Sequence, residues 1–140
     1  PWVAPQNYDT NGERLKLYKT FAEIIKLKTA YDVFKSSDVF VVSAQDNNQY
    51  KKMIKITPQP ATTTPANANQ MSVVIIANFD VNAQSVRAEF HHTGTWYDYF
   101  DGANAINVTT QNTNFTLQPG EFKFFTNFQL TAPENELHPY

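Results

Sequence analysis

Apolar residues recur at three- and four-residue steps in one early stretch of the chain. Leu17, Tyr18, Phe21, Ile24 and Ile25 form the series and Lys28 closes it. This is the spacing of one helix face, with Glu and Lys on the other. Thr10-Asn11-Gly12-Glu13 has the form of a capping box: a Thr oxygen meets an early backbone N–H and Glu13 reaches back. The pattern predicts a helix over about 12–30, with Tyr31-Asp32-Val33-Phe34 leading off it.

From residue 38 the period changes to two. Val39–Ser43 is a short β-branched run, and Lys52–Thr57 alternates with Ile54 and Ile56 on one face. Met71–Phe79 is nearly continuous apolar, as a strand covered on both faces would be. Val86–Phe90 alternates again. The run Gly94-Thr95-Trp96-Tyr97-Asp98-Tyr99-Phe100-Asp101-Gly102 places four aromatics in five positions between turn residues. Ala105–Thr109, Asn114–Leu117 and Glu121–Asn127 follow, the last two joined by a Pro119-Gly120 turn. Residues 58–70 form a Pro/Thr/Ala/Asn tract, expected to be a mobile loop, and 131–140 a loose polar tail. Short strands separated by regular turns predict a mainly β fold: an antiparallel Greek-key β-sandwich of about eight strands with one N-terminal amphipathic helix. The helix is the odd element, because its apolar stripe must be buried somewhere.

Composition narrows the classes. A 140-residue chain supports one core and an attached element. A net charge of -2 leaves no electrostatic footprint for nucleic acid or an anionic membrane. Without cysteine there is no disulfide scaffold, zinc-thiolate site or Cys nucleophile. The compartment stays open, with secreted, periplasmic and cell-surface locations all compatible. Pro1-Trp2-Val3-Ala4-Pro5 lacks an initiator Met and a basic-then-apolar leader, which reads as a fragment or a mature piece.

Little in the chain suggests catalysis. Asp98 and Asp101 are near in sequence, but Asp98 reads as a polar strand position and Asp101 as the start of an Asp-Gly turn. His91 and His92, on a regular strand, would point to opposite faces and could not chelate one ion. Asp46-Asn47-Asn48 opens a segment with Lys51 and Thr57 where a calcium loop needs Gly and Glu, so a turn between strands is expected. There is no Gly-x-Ser-x-Gly and no phosphate-binding glycine loop. No metal or other cofactor is expected. The aromatic run allows two readings. One set of rings, Trp96 and Phe100 or Tyr97 and Tyr99, enters the core. The other packs on a neighbouring element or stacks on sugar rings. For the second case the candidate carbohydrate-binding residues are Tyr97, Tyr99 and Trp96, with Asp98 and Asn104 bonding hydroxyls.

The stretch Leu17-Tyr18-Lys19-Thr20-Phe21, Ile24-Ile25-Lys26-Leu27-Lys28 and Tyr31-Asp32-Val33-Phe34 resembles the last helix of the catalytic barrel in the α-amylase family of glycoside hydrolases. Lys52–Ile56, Val73–Asp80, Gly94–Gly102 and Leu117–Phe122 resemble that family's C-terminal all-β domain in order and spacing. The resemblance covers roughly residues 14–127. It implies that 1–37 is a remnant of the barrel, 38–130 the accessory β-domain and 131–140 a tail. The family's catalytic Asp, Glu and Asp lie on barrel strands that this chain lacks, so no catalytic residue is carried over. The implied role is non-catalytic: covering and stabilising the barrel of an enzyme that acts on α-glucans. A starch- or maltooligosaccharide-binding module and a cell-surface interaction domain are the alternatives. The implied partners are the barrel, an α-glucan, or a second copy of the chain meeting Leu17, Phe21, Ile24 and Ile25.

Overall fold

A computed structural model describes residues 12–133, with the side chains of residues 12–18 and of Phe21 outside the description. Helix α1 spans Gly12–Ala30 and a 3₁₀ turn spans Asp32–Lys35. The strands are β1 (Val39–Val42), β2 (Lys51–Ile56), β3 (Val73–Asn78), β4 (Gln84–Glu89), β5 (Gly94–Asp98), β6 (Asn104–Val108), β7 (Asn112–Leu117) and β8 (Phe122–Thr126). Six of them form one antiparallel sheet in the order β1-β2-β3-β8-β5-β6, and β4 and β7 form a separate ribbon. β8 returns beside β3 only after β4–β7 have been traversed, a connection of the Greek-key kind. The six-stranded sheet does not close on itself, so β1 and β6 are edges.

The six-stranded sheet is covered on both faces, and β3 shows why its sequence is continuously apolar. Val74 and Ile76 enter a core shared with the ribbon, where Met53, Val86, Ala88, Phe90, Trp96, Leu117 and Phe125 meet. Val73 enters a second core on the opposite face with Ile56, Met71, Tyr99, Phe100 and Phe124. Leu27 of α1 and Val33 of the 3₁₀ turn complete that second core. Helix and sheet therefore share one hydrophobic cluster.

The inward stripe of α1 is offset from the expected one. Thr20 and Leu27 are buried, and Ile24 and Tyr31 pack at the margin of the cluster. Ile25 points away at 62% exposure, and Lys28 is exposed. Of the expected stripe only Ile24 is seen to face the sheet. The side chains of Leu17 and Phe21, and Thr10 and Asn11 of the capping box, lie outside the described residues.

Turn chemistry sets the register. Asp46 and Asn47 both have positive φ between Gln45 and Asn48, which bond each other twice. This is the backbone of a two-residue hairpin turn, for which Asp and Asn are well suited. At Gln118–Glu121 the Glu121 N–H returns to the Gln118 carbonyl, with Gly120 at φ 77 after Pro119. That is a type II turn. Asp101-Gly102 sits inside a longer loop, 99–103, with Gly102 and Ala103 both at positive φ. The 58–70 tract is a loop that ends in a short 3₁₀ turn, Ala68–Gln70. Side chains tie its backbone: Thr62 accepts from the Thr64 N–H, Gln70 from that of Ala66, and Asn67 from that of Asn69. Asn69 in turn accepts from the Asp32 N–H beyond the helix. Short polar side chains order a segment that has little to bury.

Candidate functional site

The aromatic run divides between the layers. Trp96 is fully buried in the ribbon-side core, tilted against Phe90 at 5.0 Å. Asp98 shares that face, is buried, and meets Lys123 Nζ at 3.2 Å. Because β5 ends at Asp98, Phe100 does not continue on the Trp96 face. The chain turns, and Tyr99 and Phe100 enter the helix-side core together, edge to face at 5.0 Å. The Tyr99 hydroxyl donates to the Glu23 carboxylate of α1. Burial, reinforced by Glu23, pushes the Tyr99 phenol well above its usual range. Asn104 is exposed on edge strand β6, its side chain beside Gly102. Tyr97 alone of the run's rings is half-buried. The five candidate residues thus form no common platform: Trp96 and Tyr99 are taken up by two different cores.

Tyr97 lines a surface groove of about 700 Å³. One wall is the Thr63-Thr64-Pro65 loop, the other Thr95 and Tyr97 of β5, and Asn127, Phe128, Gln129 and His92 complete it. No Asp, Glu, Lys or Arg contributes to the lining. Asn127 organises the floor. Its Oδ1 accepts the Ser72 N–H at 2.7 Å, so its Nδ2 is the donor to His92 Nε2 at 3.0 Å. His92 Nε2 is therefore the acceptor nitrogen, and Nδ1 carries the proton that goes to the Thr93 carbonyl at 2.7 Å.

His91 and His92 lie beyond the end of β4, so the alternation of a regular strand does not apply to them. Both rings rest on the same indole, at 5.7 and 5.0 Å from Trp96, whose N–H donates to the His92 carbonyl. They serve different grooves. His91 lines a second one of about 560 Å³ with Lys55, Thr57 and Ser72, across the Thr63 ridge from the first. Its Nε2 meets Thr57 Oγ1 at 3.0 Å, and its Nδ1 is buried without a partner among the described residues. Burial, with Lys55 and His92 nearby, lowers its pKa to about 4.

His92, Thr95, Asn127 and Gln129 were not legible as site residues, because three separate stretches of the chain (63–65, 92–97 and 127–129) supply the groove. Only the Tyr97 ring carried a signal in sequence. Among the described residues no group of three His, Asp or Glu gathers as metal ligands, and no helix is long and apolar enough to cross a membrane. In comparisons with known proteins, no family model matches the chain and no curated protein does.

Proposed function

We propose that the chain is a non-catalytic accessory domain that packs against the catalytic barrel of an α-amylase-like enzyme acting on α-glucans. The observation that carries the docking role is the β1 edge. Val39, Phe40 and Val41 are exposed by 47%, 53% and 57%, on both faces of the sheet at once. Val39 and Val41 pair with Ile56 and Ile54, and so share the helix-side face of the sheet; Phe40 and Val42 pair with Lys55 and Met53 on the ribbon side. Both cores thus run out at an open edge. Edges that stand alone in water are usually blunted by Lys, Pro or a bulge, and the four residues of β1 have none of these. An apolar edge of this kind suits a surface that another body covers. The family resemblance supplies the identity of that body.

The test is made in the full-length enzyme. Removing residues 38–130 is expected to lower its solubility and thermal midpoint while leaving its catalytic centre chemically intact. V41K, which places a charge on the open edge, reproduces part of the loss. An enzyme whose midpoint and solubility are unchanged by both would overturn the docking role.

A further inference from the structure

We propose that the second groove, lined by Lys55 and His91, binds a tetrahedral oxyanion: the phosphate or sulfate group of a small ligand. Such a site is independent of the docking role and requires no parent enzyme. Charge is its first support. Three lysines lie on β2. Lys51 pairs with Asp46, and Lys52 donates to the Ser43 carbonyl. Lys55 lines the groove half-buried, with no hydrogen bond or ion pair among the described residues. Its charged neighbour is of like sign: after burial, Lys55 is what most disfavours a proton on His91. No Asp or Glu lines the groove. An ammonium beside an imidazole, with no acid between them, is a pair that a bound anion relieves.

A buried hydroxyl with nothing to bond is the second support. Ser72 is 1% exposed and lines the groove. Asn127 holds both of its backbone groups, Oδ1 accepting the Ser72 N–H at 2.7 Å and the Asn127 N–H meeting the Ser72 carbonyl at 3.3 Å. The Ser72 hydroxyl has no partner among the described residues. Buried hydroxyls are normally bonded, and a ligand oxygen in the groove supplies the acceptor. The third support is that donors come from several sides. Thr62 Oγ1 accepts the Thr64 N–H at 3.2 Å, so its own hydrogen is left to point elsewhere. Thr57 Oγ1 and His91 Nε2 lie 3.0 Å apart. Once His91 is protonated, Nε2 donates to Thr57 and the Thr57 hydroxyl hydrogen is released. Four stretches of chain (55–57, 61–63, 72 and 91) thus surround the groove, which suits a tetrahedral group better than a flat carboxylate. The charged groups that bear on His91 are Lys55 and His92. An anion offsets both, so binding and protonation of His91 strengthen each other.

Titration of the chain with sodium sulfate, a dianion at every pH used, tests the proposal by NMR against sodium chloride at matched ionic strength. Saturable amide shifts at Thr62, Ser72 and His91 are expected, with tighter binding at pH 5 than at pH 7. Saturating sulfate is expected to raise the His91 midpoint above its value of about 4. K55M is expected to weaken binding by at least about tenfold. Ser72→Ala is expected to weaken it about tenfold with the thermal midpoint unchanged, because the lost hydroxyl bonds nothing within the described fold. V81S, at the exposed far end of β3, has no effect. Should K55M fail to fold, Ser72→Ala carries the test. Inorganic phosphate and phosphoserine separate the sources: tighter phosphoserine marks a phosphate ester, and tighter or equal inorganic phosphate marks the free ion. No shift beyond the chloride control with sulfate or phosphate at about 10 mM, where even a millimolar site is filled, overturns the proposal. So does acetate binding as tightly as sulfate, or binding that survives both K55M and Ser72→Ala unchanged. Each of these results leaves the docking role standing.

Discussion

Gln45 and Arg87 exchange two hydrogen bonds across the layers: Gln45 Nε2 donates to the Arg87 carbonyl at 2.9 Å and Gln45 Oε1 accepts the Arg87 N–H at 2.8 Å. A buried side-chain amide thereby behaves as one residue of a missing strand. β4 pairs only with β7, so its outer edge would otherwise be unpaired. The next outward N–H, that of Glu89, meets Met53 Sδ at 3.3 Å. Residues near and on β2 thus close the ribbon edge without a third strand. Replacing Gln45 with Leu keeps the bulk but strands both Arg87 groups, and the expected loss is about 1–3 kcal/mol in denaturant unfolding. Gln45→Glu is expected to lose as much at neutral pH, because a carboxylate cannot donate to the Arg87 carbonyl.

Asn78 is the second polar group that holds the sandwich. Fully buried, it donates through Nδ2 to the carbonyls of Asn82, Leu117 and Gln118 and accepts the Asp80 N–H. Its backbone also bonds Glu121 and Gly120. One side chain therefore joins the end of β3 to the β7–β8 turn. Asn78→Ala removes the amide from the carbonyls of Asn82, Leu117 and Gln118 and from the Asp80 N–H at once, and the expected loss is about 3–5 kcal/mol. Thermal unfolding that moves by less than Gln45→Leu would contradict this ranking.

These two residues mark where the sequence stopped being legible. Periodicity finds strands, because packing imposes it: Ile54 and Ile56 face one core as their spacing requires, and Val73–Ile76 is apolar on both faces because two cores flank it. Turn residues were legible for the same local reason, since Asp46-Asn47 and Pro119-Gly120 state their backbone conformations. Gln45 and Asn78 carry no such mark. Their partners lie 42 and about 40 residues away, and no local rule distinguishes a bridging amide from a surface one. Phe100 went the other way from its predicted face because β5 ended two residues earlier than the alternation assumed. The groove was illegible altogether apart from Tyr97, since a surface depression depends on how loops lie.

Tyr99 and Glu23 link the β-domain to α1. Tyr99→Phe keeps the ring in its cluster with Phe100 and Phe124 and removes only the hydroxyl. The expected cost is about 1–2 kcal/mol for a partly buried bond to a charged group. The loss should be local. Amides of α1 are expected to exchange faster while those of β3 keep their protection, as measured by hydrogen exchange. Leu27→Ala, which empties part of the same contact, is expected to do so more strongly, at about 2–4 kcal/mol. If α1 and β3 lose protection together in both variants, the helix is an inseparable part of the core and not a docked element.

His91 makes stability depend on pH in a window of its own. An imidazole in an unfolded chain titrates near 6.5, whereas in the fold burial, with help from Lys55 and His92, holds His91 at about 4. Between those values the unfolded chain takes up a proton that the folded chain refuses. Stability therefore falls as pH drops from about 6.5 toward about 4, and this contribution is flat on either side of the window. Because the residue is only partly buried, the screened loss is about 1–2 kcal/mol. Asp46 and Asp80 act lower down. Hydrogen bonds from Lys51 and Asn48 hold their carboxyls below the ordinary 3.8, so what they contribute is lost only as pH falls through and beneath that value. H91Q removes the titrating group while keeping a polar side chain opposite Thr57. Urea midpoints at pH 7 and pH 4.5 should then differ less for H91Q than for the parent chain. Equal differences in the two proteins would show that the slope comes from other groups.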